Sequence, residues 1–307
     1  MRSPGPRADR QFSVSSMPMG FRRFSIRRLS TLLFVLALVI GVGMFAQYQN
    51  NHLVVEHFAV DTDRIGAFRI VHLSDLHGKQ FGFQNEELYQ AVVETEPDLV
   101  VFTGDMIHFT ANNRDDVVAF LARLNQTAPV VCIPGNHEWR SHVREEFFAQ
   151  LRATGVVVLE NEIFTAHFGD KTVHILGLDE RYSDGARGET TRTLLGELAG
   201  HDGLRIVLSH YPQYFALLDE DSYRLFDFDL MFAGHAHGGQ WRIPGFGALY
   251  AHGQGVCPPY VSGMYEGRLV VSPGLGNSAF PLRLFNYPQI NVIDINGAIG
   301  SDTPDQP

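Results

Sequence analysis

Residues 68–77 read Phe-Arg-Ile-Val-His-Leu-Ser-Asp-Leu-His, an apolar run that stops at an acid and a histidine. The run Phe68–Leu73 predicts a buried strand, with Asp75 and His77 just past its carboxyl end. Four more runs end in the same way. Leu99–Thr103 leads into Gly104-Asp105, and Val130–Ile133 into Pro134-Gly135-Asn136-His137-Glu138. Leu204–Leu208 leads into Ser209-His210, and Leu230–Ala233 into Gly234-His235-Ala236-His237. Further strands are predicted at Val156–Leu159, Val173–Leu178 and Leu269–Ser272. Helices are predicted at Glu86–Thr95, Asp115–Asn125, Val143–Ala153 and Thr190–Ala199, where apolar positions recur three and four apart. Short apolar runs alternating with amphipathic stretches signify an α/β sheet protein, and such sheets bind ligands beyond the carboxyl ends of their strands.

The chemistry follows from the residue types. Singly, Asp-Leu-His reads as a loop and Gly-Asp as a turn. Five blocks in order, each after an apolar run, point instead to one site. Imidazole and carboxylate suit divalent ions such as Mn²⁺, Fe²⁺ and Zn²⁺. A carboxylate can bridge two ions, and two ions ~3.5–4 Å apart can clamp the attacking and leaving oxygens of a phosphoryl displacement. The glycines before Asp105, Asn136 and His235 are expected to let the backbone turn sharply. The nine other histidines, among them His52, His108, His142, His167 and His252, read as ordinary surface or core side chains.

These blocks closely resemble the signature of the calcineurin-like metallophosphoesterase superfamily: D-x-H, G-D, G-N-H, a lone H and G-H-x-H. The match runs from Ile70 to Ser272. The Gly-Gly-Gln after His237, the Val271–Gly276 segment and Pro281-Leu282-Arg283 resemble the bacterial membrane-associated phosphodiesterases of the YkuE/YaeI type. The resemblance implies an α/β sandwich of two mixed β-sheets flanked by helices. It implies two divalent metal ions, with Asp75, His77 and His237 on the first, Asn136, His210 and His235 on the second, and Asp105 bridging both. His137 resembles the residue that reaches the substrate phosphate, as a general acid or charge stabiliser. Glu138 stands where the family more often has Asp, and Gln289 where related sequences usually place Glu.

The rest of the chain bounds the reading. It has 307 residues, 45% of them hydrophobic, which suits one large domain, expected at 52–296. Cys132 and Cys257 are far apart and outside any metal-binding spacing, so a disulfide framework and a thiolate zinc site are disfavoured. Cys132 reads as a buried small hydrophobe. Residues 1–28 form a basic tail with seven arginines and one acid, +6, while the whole chain is −10; the remainder carries −16. So acidic a domain disfavours nucleic acid as partner. It favours a small or lipid-linked phosphoester.

Leu29 to Ala46 is free of charge and long enough to cross a bilayer. A transmembrane signal-anchor, a cleaved secretory signal and a buried helix compete, and the arginine-flanked run favours the anchor. The arginines hold the amino terminus inside. That places the catalytic domain on the outer, periplasmic face of a bacterial inner membrane, with export of a cleaved form as the alternative. Arg27-Arg28-Leu29-Ser30 weakly resembles a twin-arginine export signal. The glycine- and aromatic-rich stretch Trp241–Tyr265 either walls the substrate pocket or forms a surface loop. Arg283 is either a phosphate contact or a surface arginine, and the tail 297–307 is expected to be disordered. A non-catalytic binding module on the same scaffold is the main rival, although all seven expected ligands and His137 are present. Oligomeric state is silent in the sequence.

Overall fold

The computed structural model describes residues 26–110, 113–179, 186–216, 222–277 and 280–297. The expected basic tail lies outside these but for its last three residues, and the expected disordered tail but for Gly297. The described residues divide into two units after Met44. Helix α1, Ile26–Asn51, begins in the first and ends in the second. Its stretch Arg27–Asn51 is long and apolar enough to cross a membrane, about 1.5 Å per residue, and its hydrophobic side chains are exposed all round.

Among the described residues, the second unit carries sixteen strands. Those before the last metal block are β1 Val54–Thr62, β2 Phe68–Leu73, β3 Leu99–Phe102, β4 Val130–Cys132, β5 Val157–Val158, β6 Glu162–Phe168, β7 Lys171–Gly177, β8 Leu204–Leu208 and β9 Leu230–Ala233. After it come short ribbons, β10 Arg242–Ile243 with β11 Gly247–Ala248 and β12 Tyr250–Ala251 with β13 Gly255–Val256. Then follow β14 Gly263–Tyr265, β15 Leu269–Val271 and β16 Gln289–Gly297. The helices are α2 Glu86–Val93, α3 Arg114–Leu124, α4 Asn136–Arg140, α5 Arg144–Ala153 and α6 Ala186–Ala199.

Two six-stranded mixed sheets result, in the orders β1-β16-β2-β3-β4-β5 and β14-β15-β9-β8-β7-β6. In the first, β2 to β5 run parallel; in the second, β7, β8, β9 and β15 do. The strand period of two explains the uninterrupted apolar runs, because both faces of each central strand are buried. Ile70, Leu99, Val101 and Val131 of the first sheet meet Ile206, Leu208, Leu230 and Phe232 of the second in a core between the sheets. Alternate residues Val71, Val100, Phe102 and Cys132 face outward onto α2, α3 and α5. Val207, Met231 and Ala233 face Leu195 and Leu198 of α6. Helices therefore flank a pair of mixed sheets, and β2, β3, β4, β8 and β9 end at one edge of the shared core.

Eight of these strands went unpredicted: β1, β6, β14, β16 and the four of the short ribbons. β1 and β6 have largely exposed faces and lack the apolar signal. β16 is central, but its sequence interleaves polar residues; Asn291 is fully buried and pairs with His72 Nδ1 at 3.2 Å. α6 starts four residues before the predicted Thr190, and α4 forms directly after Gly135, where a loop was expected.

Candidate metal centre

The five strand ends bring all the predicted residues together. Asp75 and His77 follow β2, Asp105 follows β3, Asn136 and His137 follow β4, His210 follows β8, and His235 and His237 follow β9. Five of them hold left-handed backbones: Asp75 (φ 52°), His77 (51°), Asp105 (54°), His235 (64°) and His237 (47°). Such conformations cost of order 1–3 kcal/mol each and persist only where the surroundings enforce them. Here neighbouring strand ends do so through backbone hydrogen bonds. Asp75 N–H donates to Gly104 O at 3.0 Å, His77 N–H to Asp105 O at 2.9 Å, and Gly276 N–H to Asp75 O at 2.6 Å.

The glycines act differently from the sequence expectation. Gly104 does turn at positive φ, 88°, but Gly135 is extended at φ −108°. At Gly135 the requirement is space: a Cβ there would strike Asp105 Oδ1 and lie 2.5 Å from Asp105 N. At Gly234 it would strike Ser74 Oγ and lie 2.5 Å from Asp75 Oδ2.

The side chains form two groups that share Asp105. In one, His77 Nε2 and His237 Nε2 are 3.1 Å apart, and they lie 3.9 and 3.4 Å from Asp75 Oδ1. His77 Nε2 is 3.7 Å from Asp105 Oδ2. In the other, His210 Nδ1 donates to Thr103 O at 2.7 Å, which aims Nε2 inward. That Nε2 lies 3.2 Å from Asn136 Oδ1, 3.2 Å from His235 Nδ1 and 3.5 Å from Asp105 Oδ2. Nitrogens and oxygens converge on two points, His77 Nε2, His237 Nε2 and Asp75 Oδ1 at one and His210 Nε2, His235 Nδ1 and Asn136 Oδ1 at the other. A divalent cation at each point, in place of any ring proton, satisfies these buried atoms together. The donor set of imidazole, carboxylate and amide oxygen fits borderline divalent metal.

Burial lowers the pKa of His77, His235 and His237, holding them neutral. His210 goes the other way. Burial opposes its charge, but the carboxylates of Asp105 and Asp75 and the Thr103 carbonyl together outweigh burial and raise it to about 10. At Asp105, too, burial is outweighed, by His210 first and by His77 and His137 with it, so that the carboxyl is held well below its usual range.

His137 is buried at the cleft. Phe109 N–H donates to its Nδ1 at 3.3 Å, so the neutral ring carries its proton on Nε2. Burial lowers its pKa, which favours that neutral form. Glu138 points away from it and is fully buried. Its carboxylate accepts the N–H groups of Asp105 at 2.9 Å, Ile107 at 3.0 Å and Gly135 at 2.8 Å. Glu138 therefore ties the β3 and β4 ends together and does not orient the ring. Burial, then the charge of Asp105, pushes its pKa up to about 7.

A cleft of about 350 Å³ opens over the cluster, lined by Asp105, Asn136, His137, His235 and His237 and rimmed by Arg140, Gln240, Tyr250, Ala251, His252 and Phe280. The 241–265 stretch thus walls the pocket through residues 250–252, while Trp241 lies outside it. Two histidines read as ordinary belong to the site: the His108 ring is 4.8 Å from that of His137, and His252 is 5.4 Å from His235. His108 stands three residues after Asp105, the one signal that marked it. Arg283 is neither a phosphate contact nor a surface residue. It is fully buried, donating to Pro273 O, Gly276 O and Asn277 Oδ1, and so braces the loop beneath Asp75. Asn286, unmarked in sequence, donates to His237 O at 2.7 Å. Gln289 bonds Asn291 Oδ1, away from the cleft.

Comparison with known proteins accords with this geometry. The calcineurin-like phosphoesterase family model matches residues 68–239. The chain is 30% identical over 278 residues to the uncharacterized metallophosphoesterase YkuE of Bacillus subtilis, covering 84% of this chain and 92% of that one. It is 25% identical over 255 residues to phosphodiesterase YaeI of Escherichia coli, 79% and 87% of the two chains. It is 27% identical over 252 residues to a transmembrane protein with metallophosphoesterase domain of Bos taurus, 76% of this chain and 54% of that one. With its five strand-end blocks gathered in one cleft, the chain is a hydrolase of the calcineurin-like metallophosphoesterase family.

Proposed function

We propose that this chain is a dinuclear-metal phosphodiesterase, anchored in a bacterial inner membrane through α1 with its catalytic domain on the periplasmic side, acting on a lipid-linked phosphoester or pyrophosphate. The observation that carries the metal reading is the convergence of acceptor atoms on two points either side of Asp105. Asp75, His77 and His237 would hold one ion, Asn136, His210 and His235 the other, and Asp105 would serve both. Mn²⁺, Fe²⁺ or Zn²⁺ bound there supplies positive charge to a phosphoryl group and acidifies water. His137 Nε2–H donates to a phosphoryl or leaving-group oxygen, positioned by the Phe109 N–H on its other nitrogen. Arg140, on the cleft rim, adds a cation facing the same anionic group. Aromatic Tyr250 and Phe280 on that rim favour a substrate with an apolar part.

The test uses the full-length chain, stripped of metal and reloaded with Mn²⁺ or Zn²⁺. Diesters are expected to turn over faster than monoesters, and a lipid-bearing diester in micelles at higher kcat/KM than its soluble headgroup. Metal binding without turnover of any ester would mark a non-catalytic module, and equal rates across esters a broad phosphatase. An active carboxyl-terminal alkaline phosphatase fusion is expected from the proposed orientation; a silent one reverses it.

A further inference from the structure

The metal cleft is bordered by an exposed apolar face. On the β10–β11 ribbon Trp241, Ile243 and Phe246 stand exposed, Phe246 at 62%. Beside it, Leu282, Leu284 and Phe285 are exposed on a segment that extends the ribbon. Arg242 N–H donates to Leu284 O, and Trp241 Nε1–H to Leu282 O. A contiguous apolar patch of this kind marks an interaction surface.

Three observations say what covers it. The segment is fastened to the end of the membrane-length helix. Asn50 Nδ2 donates to Pro281 O and Asn50 Oδ1 accepts Arg283 N–H, both at 2.9 Å, while the Phe45 and Phe285 rings are 5.6 Å apart. Charge is skewed as well. Between Trp241 and Ile293 the chain has a single acid, Glu266, although it carries 34 acids in all. An acid-poor surface with an exposed Trp suits a lipid headgroup region, which most of this acidic chain would avoid. Finally, the patch reaches the cleft: the Trp241 ring sits edge-on to Phe280, 4.8 Å away, and Phe280 lines the cleft.

We infer that this face inserts into the interfacial layer of the bilayer that α1 crosses, so that the metal cleft opens onto the membrane surface. The inference rests on the reading of α1 as an anchor. Its occupant is lipid; a second copy of the chain and a soluble protein are the competing occupants.

The full-length chain is reconstituted in phosphatidylcholine vesicles with and without lipids brominated high on the acyl chain. Tryptophan fluorescence, from Trp139 and Trp241, is expected to be quenched by bromine in the native chain and to lose most of that quenching in Trp241→Phe. Equal quenching in both chains, or none in either, overturns the inference. Cross-linking of two copies through Phe246→Cys, without bromine quenching of Trp241, assigns the face to a dimer and also overturns it. A second variant, Ile243→Glu with Phe246→Glu, lies outside the cleft. It should leave turnover of a soluble diester unchanged and lower turnover of a lipid diester in vesicles by roughly ten-fold or more. Quenching without lipid-diester turnover keeps the surface and removes the lipid substrate. Lipid-diester turnover without quenching does the reverse.

Discussion

The two groups of side chains that meet at Asp105 are both built from strand ends but are charged differently. Asp75 and His77 come from the first sheet and His237 from the second; Asn136 comes from the first and His210 and His235 from the second. Each group thus spans the seam between the sheets. In the first group, burial keeps both imidazoles neutral, ready to accept a cation. In the second, His210 leans on Asp105 and holds a proton. The difference teaches that one carboxylate serves two unlike neighbours: toward His77 it faces a lone pair, toward His210 a positive charge.

The strongest way to break the comparison is to neutralise that carboxylate. Asp105→Asn should empty both proposed positions and lower turnover by about 10³-fold or more, as loss of a shared charge removes both clamps. Metal content by elemental analysis accompanies the rate. A variant that binds no metal yet turns over at the native rate would end the two-metal reading.

His137 should behave otherwise, because it is placed beside both groups and assigned to neither. His137→Ala should keep near-native metal content while losing ~10²–10⁴-fold in rate, with a smaller loss on esters with very good leaving groups. The ligating atoms of His77, Asp105 and His137 also lie within 4.8 Å of one another. Metal loss as large as that of His210→Ala would therefore move His137 into the first group.

The sequence made the central part of this arrangement legible because both signals are local. An apolar run buried on both faces needs no partner to be recognised, and an acid or histidine immediately after it is conspicuous. Contacts made at a distance leave no such mark. β16 is held between β1 and β2 by pairing across more than 200 residues, and its buried Asn291 disguises it as a loop. Arg283 reads as a phosphate contact or a surface cation; only the fold shows the carbonyls that accept its protons. Gly135 and Gly234 were expected to serve the backbone angle, whereas neighbouring carboxylates crowd the space a Cβ would need. His252 reaches the site from a ribbon with no strand-end signature.

Glu138 sharpens the comparison in stability rather than rate. It joins the β3 and β4 ends by three buried hydrogen bonds, whereas at the β9 end the Asp75 carboxylate accepts the His235 N–H. Glu138→Ala leaves three buried N–H groups without their acceptor and should cost about 2–5 kcal/mol in denaturant unfolding of the metal-free chain. Glu138→Gln should recover part of this, since its amide oxygen can still accept. A cost below about 1 kcal/mol would show that the strand ends are held by packing alone.

The smallest effect tests the charge difference itself. Metal must displace any proton on its ligands. With His210 raised to about 10, a proton occupies the second group throughout the neutral range, whereas burial has already emptied His77 and His237. Affinity at the second position should therefore fall about ten-fold for each pH unit lowered below 10, and affinity at the first should hardly change there. The measurement is best made at pH 8. Glu138, pushed up to about 7, is then mostly ionised, while His210 still carries its proton. Titration calorimetry of the stripped chain, repeated in buffers of different ionisation enthalpy, should show one binding event releasing about one proton and the other almost none. In His210→Asn the proton-releasing event should disappear and the silent one persist. Equal proton release at both positions would mean that the two groups titrate as one, and that Asp105 polarises His77 as much as His210.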